Sequence, residues 1–340
     1  YNNSKFRGEN MKKINVGIVG ATGMVGRNFL KLMEERDFPV KNLYLFASSK
    51  SSGKKILFRE KEYEVEELTK NSFNKPIDLL LFSAGGEISK KFAPIAKEHG
   101  ITVIDNSSAW RMDEDVPLIV PEVNPEDIKW HKGIIANPNC STIQSVVPLK
   151  PLHENFKIKR IIFSTYQAVS GSGVAGMNDL ENGLEYLEPK NYPHPIAFNC
   201  LPHIDSFMNN GYTKEEIKMI EETKKILHDD KLKITSTAVR VPVYFGHCVS
   251  ANIEFENSFD IEEIYDVLNN YNGIVVLDDV EKDTYPMPIN VEGKDEVYVG
   301  RIRRDFSVEN GINIWIVADN TRKGAATNTV QIAELLLKNK

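Results

Sequence analysis

The chain has 340 residues, 42 of them basic and 48 acidic, a formal charge of −6, and 41% are hydrophobic. At roughly 100–200 residues per domain, that length predicts about two domains with a core large enough to need neither metal nor disulfide staples. The mild negative charge argues against a nucleic-acid surface, which needs clustered Lys and Arg, and no stretch approaches the roughly 20 apolar residues of a membrane span.

The polar residues ahead of Met11 lack the basic-then-apolar pattern of a secretion signal and read as a cloning scar before the native start. Ile14, Val16, Ile18 and Val19 predict a strand that runs into Gly20-Ala21-Thr22-Gly23-Met24-Val25-Gly26, with an amphipathic helix to about Glu35. Gly20, Gly23 and Gly26 in a strand–turn–helix context suit a pyrophosphate at the helix start; the plainer reading is a corner that needs glycine and binds nothing. A second apolar run, Leu43–Ala47, ends in Ser48-Ser49-Lys50-Ser51. An NAD site usually carries Asp or Glu there, whereas hydroxyls and an ammonium suit a 2′-phosphate, which favours NADP; a solvated loop is the alternative. Further buried strands are expected at Ile77–Phe82 and Ile101–Asp105 with a helix over Ser89–His99 between them, the alternation of a parallel sheet covered on both faces.

After Asn137-Pro138-Asn139-Cys140 the pattern changes. The β-rich runs Arg160–Ala168, Lys233–Pro242, Cys248–Phe255 and Asn313–Val317 predict a second, more antiparallel sheet, with helices over Ser141–Phe156, Thr213–His228 and Ile261–Asn269 on one face. Asp283–Gly293 reads as loop, and Asn320–Lys340 as a helix with Leu335, Leu336 and Leu337 on its apolar side, packing back on the first domain. The expected division is therefore a scar over 1–10, a dinucleotide-binding domain over 11–138 and 320–340, and a second domain over 139–319, to which the family resemblance given below adds catalysis and dimerisation.

The three cysteines are an odd number and fit no zinc spacing, so a reducing cytoplasm and no metal site are expected. Cys140 stands where an Asn-Pro turn hands over to a helix, and the positive end of a helix dipole there favours a nucleophilic thiolate. Cys200 and Cys248 lack such a setting and read as small core hydrophobes. The thiolate needs an acid/base partner, and His247, closing Arg240-Val241-Pro242-Val243-Tyr244-Phe245-Gly246-His247, is the best placed of seven histidines, although a lone histidine beside a strand is more often structural.

Ten collinear motifs then resemble the aspartate-β-semialdehyde dehydrogenase family, of the bacterial type: GATGMVG (20–26), SAGG (83–86), DNSSAWRMD (105–113), VPEVN (120–124), NPNCSTIQ (137–144), TYQAVSGSG (165–173), EEIKMIEETKKIL (215–227), VRVPVYFGH (239–247), VGRIRRD (299–305) and DNTRKGAATNTVQIAE (319–334). The resemblance implies an α/β fold, a Rossmann-type NADP-binding domain followed by an α+β domain with a mostly antiparallel or mixed sheet, similar to the C-terminal domain of glyceraldehyde-3-phosphate dehydrogenase. It implies NADP-dependent, phosphate-dependent interconversion of L-4-aspartyl phosphate and L-aspartate 4-semialdehyde through a cysteine thioester, serving lysine, diaminopimelate, threonine and methionine synthesis.

By the same resemblance Cys140 matches the nucleophile, His247 the acid/base that takes the proton from the thiol or hemithioacetal, and Gln167 a residue that orients substrate. Arg240 matches the clamp on the α-carboxylate, Glu215 the partner of the α-ammonium, and Lys218 and Arg111 the phosphate binders. Thr22, Gly23, Met24, Val25, Lys50, Ser51, Ser170, Gly171 and Asn320 match cofactor contacts. A homodimer, or a tetramer, is implied, though 178–195 matches no family pattern. Two alternatives stay open: a related acyl-phosphate reductase such as one acting on N-acetylglutamyl phosphate, whose acylated amine would leave Glu215 without a partner, and a non-catalytic NADP-binding regulator.

Overall fold

A computed structural model describes residues 12–338; the expected scar, the start at Met11 and the last two residues of the expected terminal helix lie outside the described residues. The chain forms two compact units, the first running to Pro138 and resuming at Ala325, the second spanning Asn139–Gly324.

The first unit contains β1 (Ile14–Val19), α1 (Met24–Glu35), β2 (Val40–Ala47), β3 (Lys55–Phe58), β4 (Lys61–Glu67), β5 (Leu79–Phe82), α2 (Gly86–Glu98), β6 (Thr102–Asp105) and β7 (Ile134–Ala136). Among the described residues these strands make one seven-stranded sheet in the order β3-β4-β2-β1-β5-β6-β7. Val16, Ile18 and Val19 of β1 and the whole of β5 are buried, as central strands covered on both faces require. The sheet is mixed where an all-parallel one was expected, because β3 pairs antiparallel with β4 at the edge. That hairpin escaped the sequence reading: only Phe58 and Val65 are buried in it, and the exposed positions are mostly Lys and Glu, which also blunt the edge against pairing with another chain.

The second unit opens with α3 (Cys140–Phe156) and continues through β8 (Ile158–Gln167), α4 (Gly173–Leu184), α5 (Lys214–Leu227), β9 (Lys233–Arg240), β10 (His247–Phe255), α6 (Ile261–Asn269), β11 (Ile274–Val276), α7 (Pro288–Val291), β12 (Val297–Arg304) and β13 (Gly311–Ala318). Among the described residues its sheet has six strands in the order β11-β12-β13-β10-β8-β9. The three central pairings are antiparallel, while β11·β12 and β8·β9 at the two ends are parallel. Helix α7 is a correction within the expected loop over 283–293: Pro288, with its fixed φ, opens a single turn. Helix α3 packs between the sheet and helices α5 and α6, so it is buried almost all round and carries small polar residues beside Ile143, Val146, Val147, Leu149 and Leu152.

This packing gathers the chemistry-bearing residues. In the parallel register of β8 and β9, Gln167 lies opposite Arg240, and β10 begins at His247.

The chain leaves the second unit through a π-helical turn, Arg322–Ala326, and closes with α8 (Thr327–Lys338) in the first. Val330, Ile332, Ala333 and Leu336 enter one core cluster with Phe29, Leu32 and Met33 of α1, with Leu335 and Leu337 partly buried beside it. Arg36, at the end of α1, donates two hydrogen bonds to Glu334, Nε to Oε1 at 2.6 Å and Nη2 to Oε2 at 2.7 Å. No helix among the described residues is long and apolar enough to cross a membrane. Because Glu334→Ala removes both hydrogen bonds from Arg36 at a buried carboxylate, it is expected to lower stability by about 1–3 kcal/mol, read from denaturant unfolding, with Glu334→Gln losing less.

Candidate active site

Cys140 is the first residue of α3 and is partly exposed. Asn139 caps the helix, its Oδ1 accepting from the N–H groups of Ser141 at 3.0 Å and Thr142 at 3.2 Å. Such a cap fixes the entry angle of the chain and therefore the direction of the cysteine that follows. Asn139 is itself held by two buried carboxylates of α5. Its backbone N–H donates to Glu222 Oε2 at 2.6 Å, and its Nδ2 donates to Glu215 Oε1 at 2.8 Å.

Glu215 is the centre of a network. Gln167 Nε2 donates to the same Oε1 at 3.1 Å, and Thr165 donates to Gln167 Oε1 at 3.0 Å, orienting the amide. Lys218 Nζ reaches Glu215 Oε2 at 3.2 Å, an i, i+3 pair on one helix face, and Asp205 Oδ2 at 2.7 Å. Burial opposes ionisation of Glu215, but the Lys218 ammonium and the bonds from Asn139 and Gln167 outweigh it and hold the carboxyl below its ordinary value.

The residue after Gln167 organises the other half. Ala168 N–H donates to His247 Nδ1 at 2.9 Å, and Ala168 C=O accepts from Arg240 Nη1 at 2.7 Å. His247 is completely buried and Arg240 only 4% exposed. Among the described residues neither His247 Nε2 nor Arg240 Nε has a hydrogen-bond partner. Two buried donors left open in this way cost stability and are suited to an anionic or carbonyl ligand. Burial, and then the Arg240 guanidinium, hold His247 well below the usual imidazole value. Gly171 leaves the space beside them clear: a Cβ there would lie 2.8 Å from Arg240 Nη1 and 3.3 Å from His247 Nε2.

Gln144, one turn along α3 from Cys140, donates from Nε2 to the His247 carbonyl at 3.0 Å, tying the nucleophile helix to the start of β10. Asn320 Oδ1 accepts from Gly246 N–H at 3.0 Å, and its Nδ2 donates to Ser170 Oγ at 3.0 Å. Cys140, Gln167, Glu215, Lys218, Arg240, His247, Ser170, Gly171 and Asn320 are thus all drawn into the second unit. Cys248 is buried as expected, which pushes its thiol up to about 12 and removes it as a nucleophile; Cys200, expected in the core, is instead exposed in a loop.

In the first unit Gly20 has φ +81°, and a Cβ on it would fall 2.1 Å from the Ser83 carbonyl oxygen. The turn it makes delivers Gly23 as the N-cap of α1, with no acidic residue in the first helical turn. Thr22 Oγ1 meets Ser51 Oγ at 3.5 Å, beside the exposed Lys50 on the turn that follows β2. Arg111 is buried in this unit, its Nε and Nη2 donating to the carbonyls of Asn137 at 3.0 Å and Asn106 at 2.9 Å. No cluster of three or more His, Cys, Asp or Glu able to hold a metal occurs among the described residues.

Sequence reasoning missed Asn139, Gln144, Ala168 and Glu222. Asn139 and Glu222 left signals, an Asn immediately before a helix and a carboxylate seven residues after Glu215 on the same face. Ala168 acts only through its backbone and left none.

Gly171→Ala is expected to push Arg240 and His247 out of place and to lower kcat/KM about 100-fold while the fold persists, read from steady-state rates beside circular dichroism. A second outcome concerns acid. Below the ordinary imidazole value of 6.5 the unfolded chain takes up a proton that buried His247 refuses, so stability falls as pH drops through and below 6.5. In unfolding titrations across that window His247→Gln is expected to flatten this part of the slope.

A semialdehyde dehydrogenase NAD-binding model matches residues 15–131, and a semialdehyde dehydrogenase dimerisation model matches 149–323. Aspartate-semialdehyde dehydrogenase of Aquifex aeolicus is 57% identical over 332 residues, covering 95% of this chain and 98% of that protein. Aspartate semialdehyde dehydrogenase II of Vibrio cholerae, solved as a complex with ASA, superposes with a TM-score of 0.92 at 47% identity over 96% of this chain and 99% of its own. The Candida albicans enzyme solved with NADP gives a TM-score of 0.78 at 29% identity, with coverage of 96% and 99%. With two semialdehyde dehydrogenase models falling on the two sheets, and relatives alike from end to end, the chain belongs to the aspartate-semialdehyde dehydrogenase family.

Proposed function

We propose that the second unit performs the reaction of this family on a thioester of Cys140: NADP-dependent reductive dephosphorylation of L-4-aspartyl phosphate to L-aspartate 4-semialdehyde, reversible and phosphate-dependent. The product feeds lysine or diaminopimelate, threonine and methionine synthesis. The observation that carries this reading is the Asn139 link, in which one side chain caps the helix that presents Cys140 and bonds the buried, ionised carboxylate of Glu215. An ionised carboxylate beside the nucleophile suits the α-ammonium of an aspartyl substrate; an acylated amine would bring no charge for it to meet.

In this assignment Arg240 takes the α-carboxylate through its open Nε, a task for which the planar guanidinium is shaped. Gln167, oriented by Thr165, positions the acyl chain. Lys218 and Arg111 are assigned to phosphate. Cys140 displaces phosphate to form the thioester, a far better hydride acceptor than a carboxylate, and His247 is assigned as the acid/base that takes the proton from the thiol or hemithioacetal.

The first unit fits NADP: the tight Gly20 turn leads straight from β1 to the start of α1, α1 opens without an acidic first turn, and Ser48-Ser49-Lys50-Ser51 follows β2 where a carboxylate would repel a 2′-phosphate. Gly20, Thr22, Gly23, Met24, Val25, Gly26, Lys50 and Ser51 are assigned to hold it, with Ser170, Gly171 and Asn320 assigned to the nicotinamide end. When bound, NADPH supplies the hydride. We assign the protein to the cytoplasm and to a homodimer.

Cys140→Ser is expected to abolish turnover while NADPH affinity, measured by fluorescence titration, stays within a few-fold; unchanged turnover excludes the covalent route. Glu215→Gln is expected to lower kcat/KM for L-aspartate 4-semialdehyde about 10- to 100-fold, the worth of a charged hydrogen bond.

A further inference from the structure

A buried guanidinium is ordinarily met by a carboxylate, because an unpaired ion is costly to take out of water. Arg240 departs from that rule. Among the described residues it forms no ion pair with Asp or Glu: Nη1 donates to the Ala168 carbonyl at 2.7 Å, Nε has no partner, and the guanidinium carbon stands over the ring of Tyr192, 6.0 Å from its centroid. The face of an aromatic ring attracts a cation through its quadrupole while carrying no net charge.

Tyr192 is held there from three sides. Both oxygens of buried Asp179, on α4, accept main-chain N–H groups from its segment, Oδ1 from Lys190 at 2.9 Å and Oδ2 from Asn191 and Tyr192 at 2.8 Å each. The Tyr192 hydroxyl donates to the Val169 carbonyl at 3.4 Å, next along the chain from the carbonyl that anchors Arg240. Gly176 leaves room for that hydroxyl, since a Cβ there would fall 2.5 Å from it. The ring packs on an apolar cluster that includes Val169, Leu180 and Leu201. Leu201 also pairs with the main chain of Arg240, its N–H donating at 2.9 Å and its C=O accepting at 2.8 Å. Ring and guanidinium are therefore referred to the same short stretches of main chain.

We infer that Tyr192 is a positioning residue for substrate, an uncharged substitute for the counter-ion of Arg240. This rests on the assignment of Arg240 to the α-carboxylate made above. A carboxylate in the place of the ring would neutralise the guanidinium, and the substrate would have to displace it. The ring steadies the cation and leaves its charge and its Nε donor to the incoming α-carboxylate. Asp179 acts one step further back, because three N–H bonds to one carboxylate shape the turn that delivers the ring. The effect is on binding. The α-carboxylate takes no part in the chemistry, so its contact with Arg240 is the same in the bound substrate and in the transition state, and loss of the ring raises KM while sparing kcat.

Steady-state rates of the full chain test this, with L-aspartate 4-semialdehyde, phosphate and NADP⁺ varied in turn. Tyr192→Phe keeps the ring face and is expected to hold KM for the semialdehyde within about twofold of the wild type. Tyr192→Leu is expected to raise that KM about 5- to 20-fold, with kcat and the KM values for phosphate and NADP⁺ within about threefold. Phenylalanine carrying one, two or three fluorines at position 192 gives a sharper reading, and it serves equally if Tyr192→Leu does not fold. Fluorine drains the negative face of the ring at nearly constant size, so KM for the semialdehyde is expected to climb with each atom added, about tenfold over the series. A KM indifferent to fluorine overturns the proposal, as does a Tyr192→Leu enzyme whose three KM values rise together. Arg240→Lys examines the reading beneath it: a semialdehyde KM that does not rise there sinks the carboxylate clamp itself, whereas a rise there with indifference to fluorine sinks the role of Tyr192 alone.

Discussion

The two backbone groups of one alanine hold the candidate site of the second unit together. Ala168 gives its N–H to the imidazole of His247 and its C=O to the guanidinium of Arg240, and it does so immediately after Gln167, whose amide is spent on Glu215. The position of the Ala168 peptide groups is in turn set by the β8·β9 ladder, in which Gln167 lies opposite Arg240. Side chains from three strands and one helix are thereby referred to a single short piece of main chain. Main-chain hydrogen bonds suit this task because they have no rotamers to lose and no charge to desolvate.

Around that centre the charges are few, buried and matched. Glu215 is kept ionised against its burial by Lys218 and two amides, and Lys218 is shared with Asp205. Glu222 is 1% exposed and grips the backbone of Asn139 beneath the nucleophile. Buried ion pairs of this kind contribute little net stability compared with apolar packing of the same volume. Their value here is geometric. The α5 carboxylates fix where Asn139 sits, Asn139 fixes the first turn of α3, and that turn fixes the direction of Cys140.

Much of this was legible in the amino-acid order. The glycine turn after β1, the helix that starts beside Cys140 and the β runs of the second sheet follow from spacing or composition, while collinear motifs pointed to the family and, through it, to Glu215 and Lys218. What escaped did so for identifiable reasons. The β3–β4 hairpin is a charged edge with few inward residues, so its period is drowned by Lys and Glu. Helix α3 has apolar and small polar residues on every side, so its burial has no stripe to betray it. Asn139 could have been singled out as a cap. Ala168 could not, since the same main-chain groups stand at every non-proline position, and only the fold decides which of them will carry a site.

The parallel pairing of β8 with β9 has one more consequence. Because Gln167 and Arg240 are neighbours across a hydrogen-bonded ladder, their separation is a ruler graduated in strand spacings of about 4.8 Å and not a quantity that a loop can adjust. Inserting or deleting a residue within either strand would turn every following side chain to the opposite face. Divergence among enzymes built on this frame therefore has to proceed by exchanging side chains at fixed stations, with changes of chain length confined to connections such as the stretch between β11 and β12.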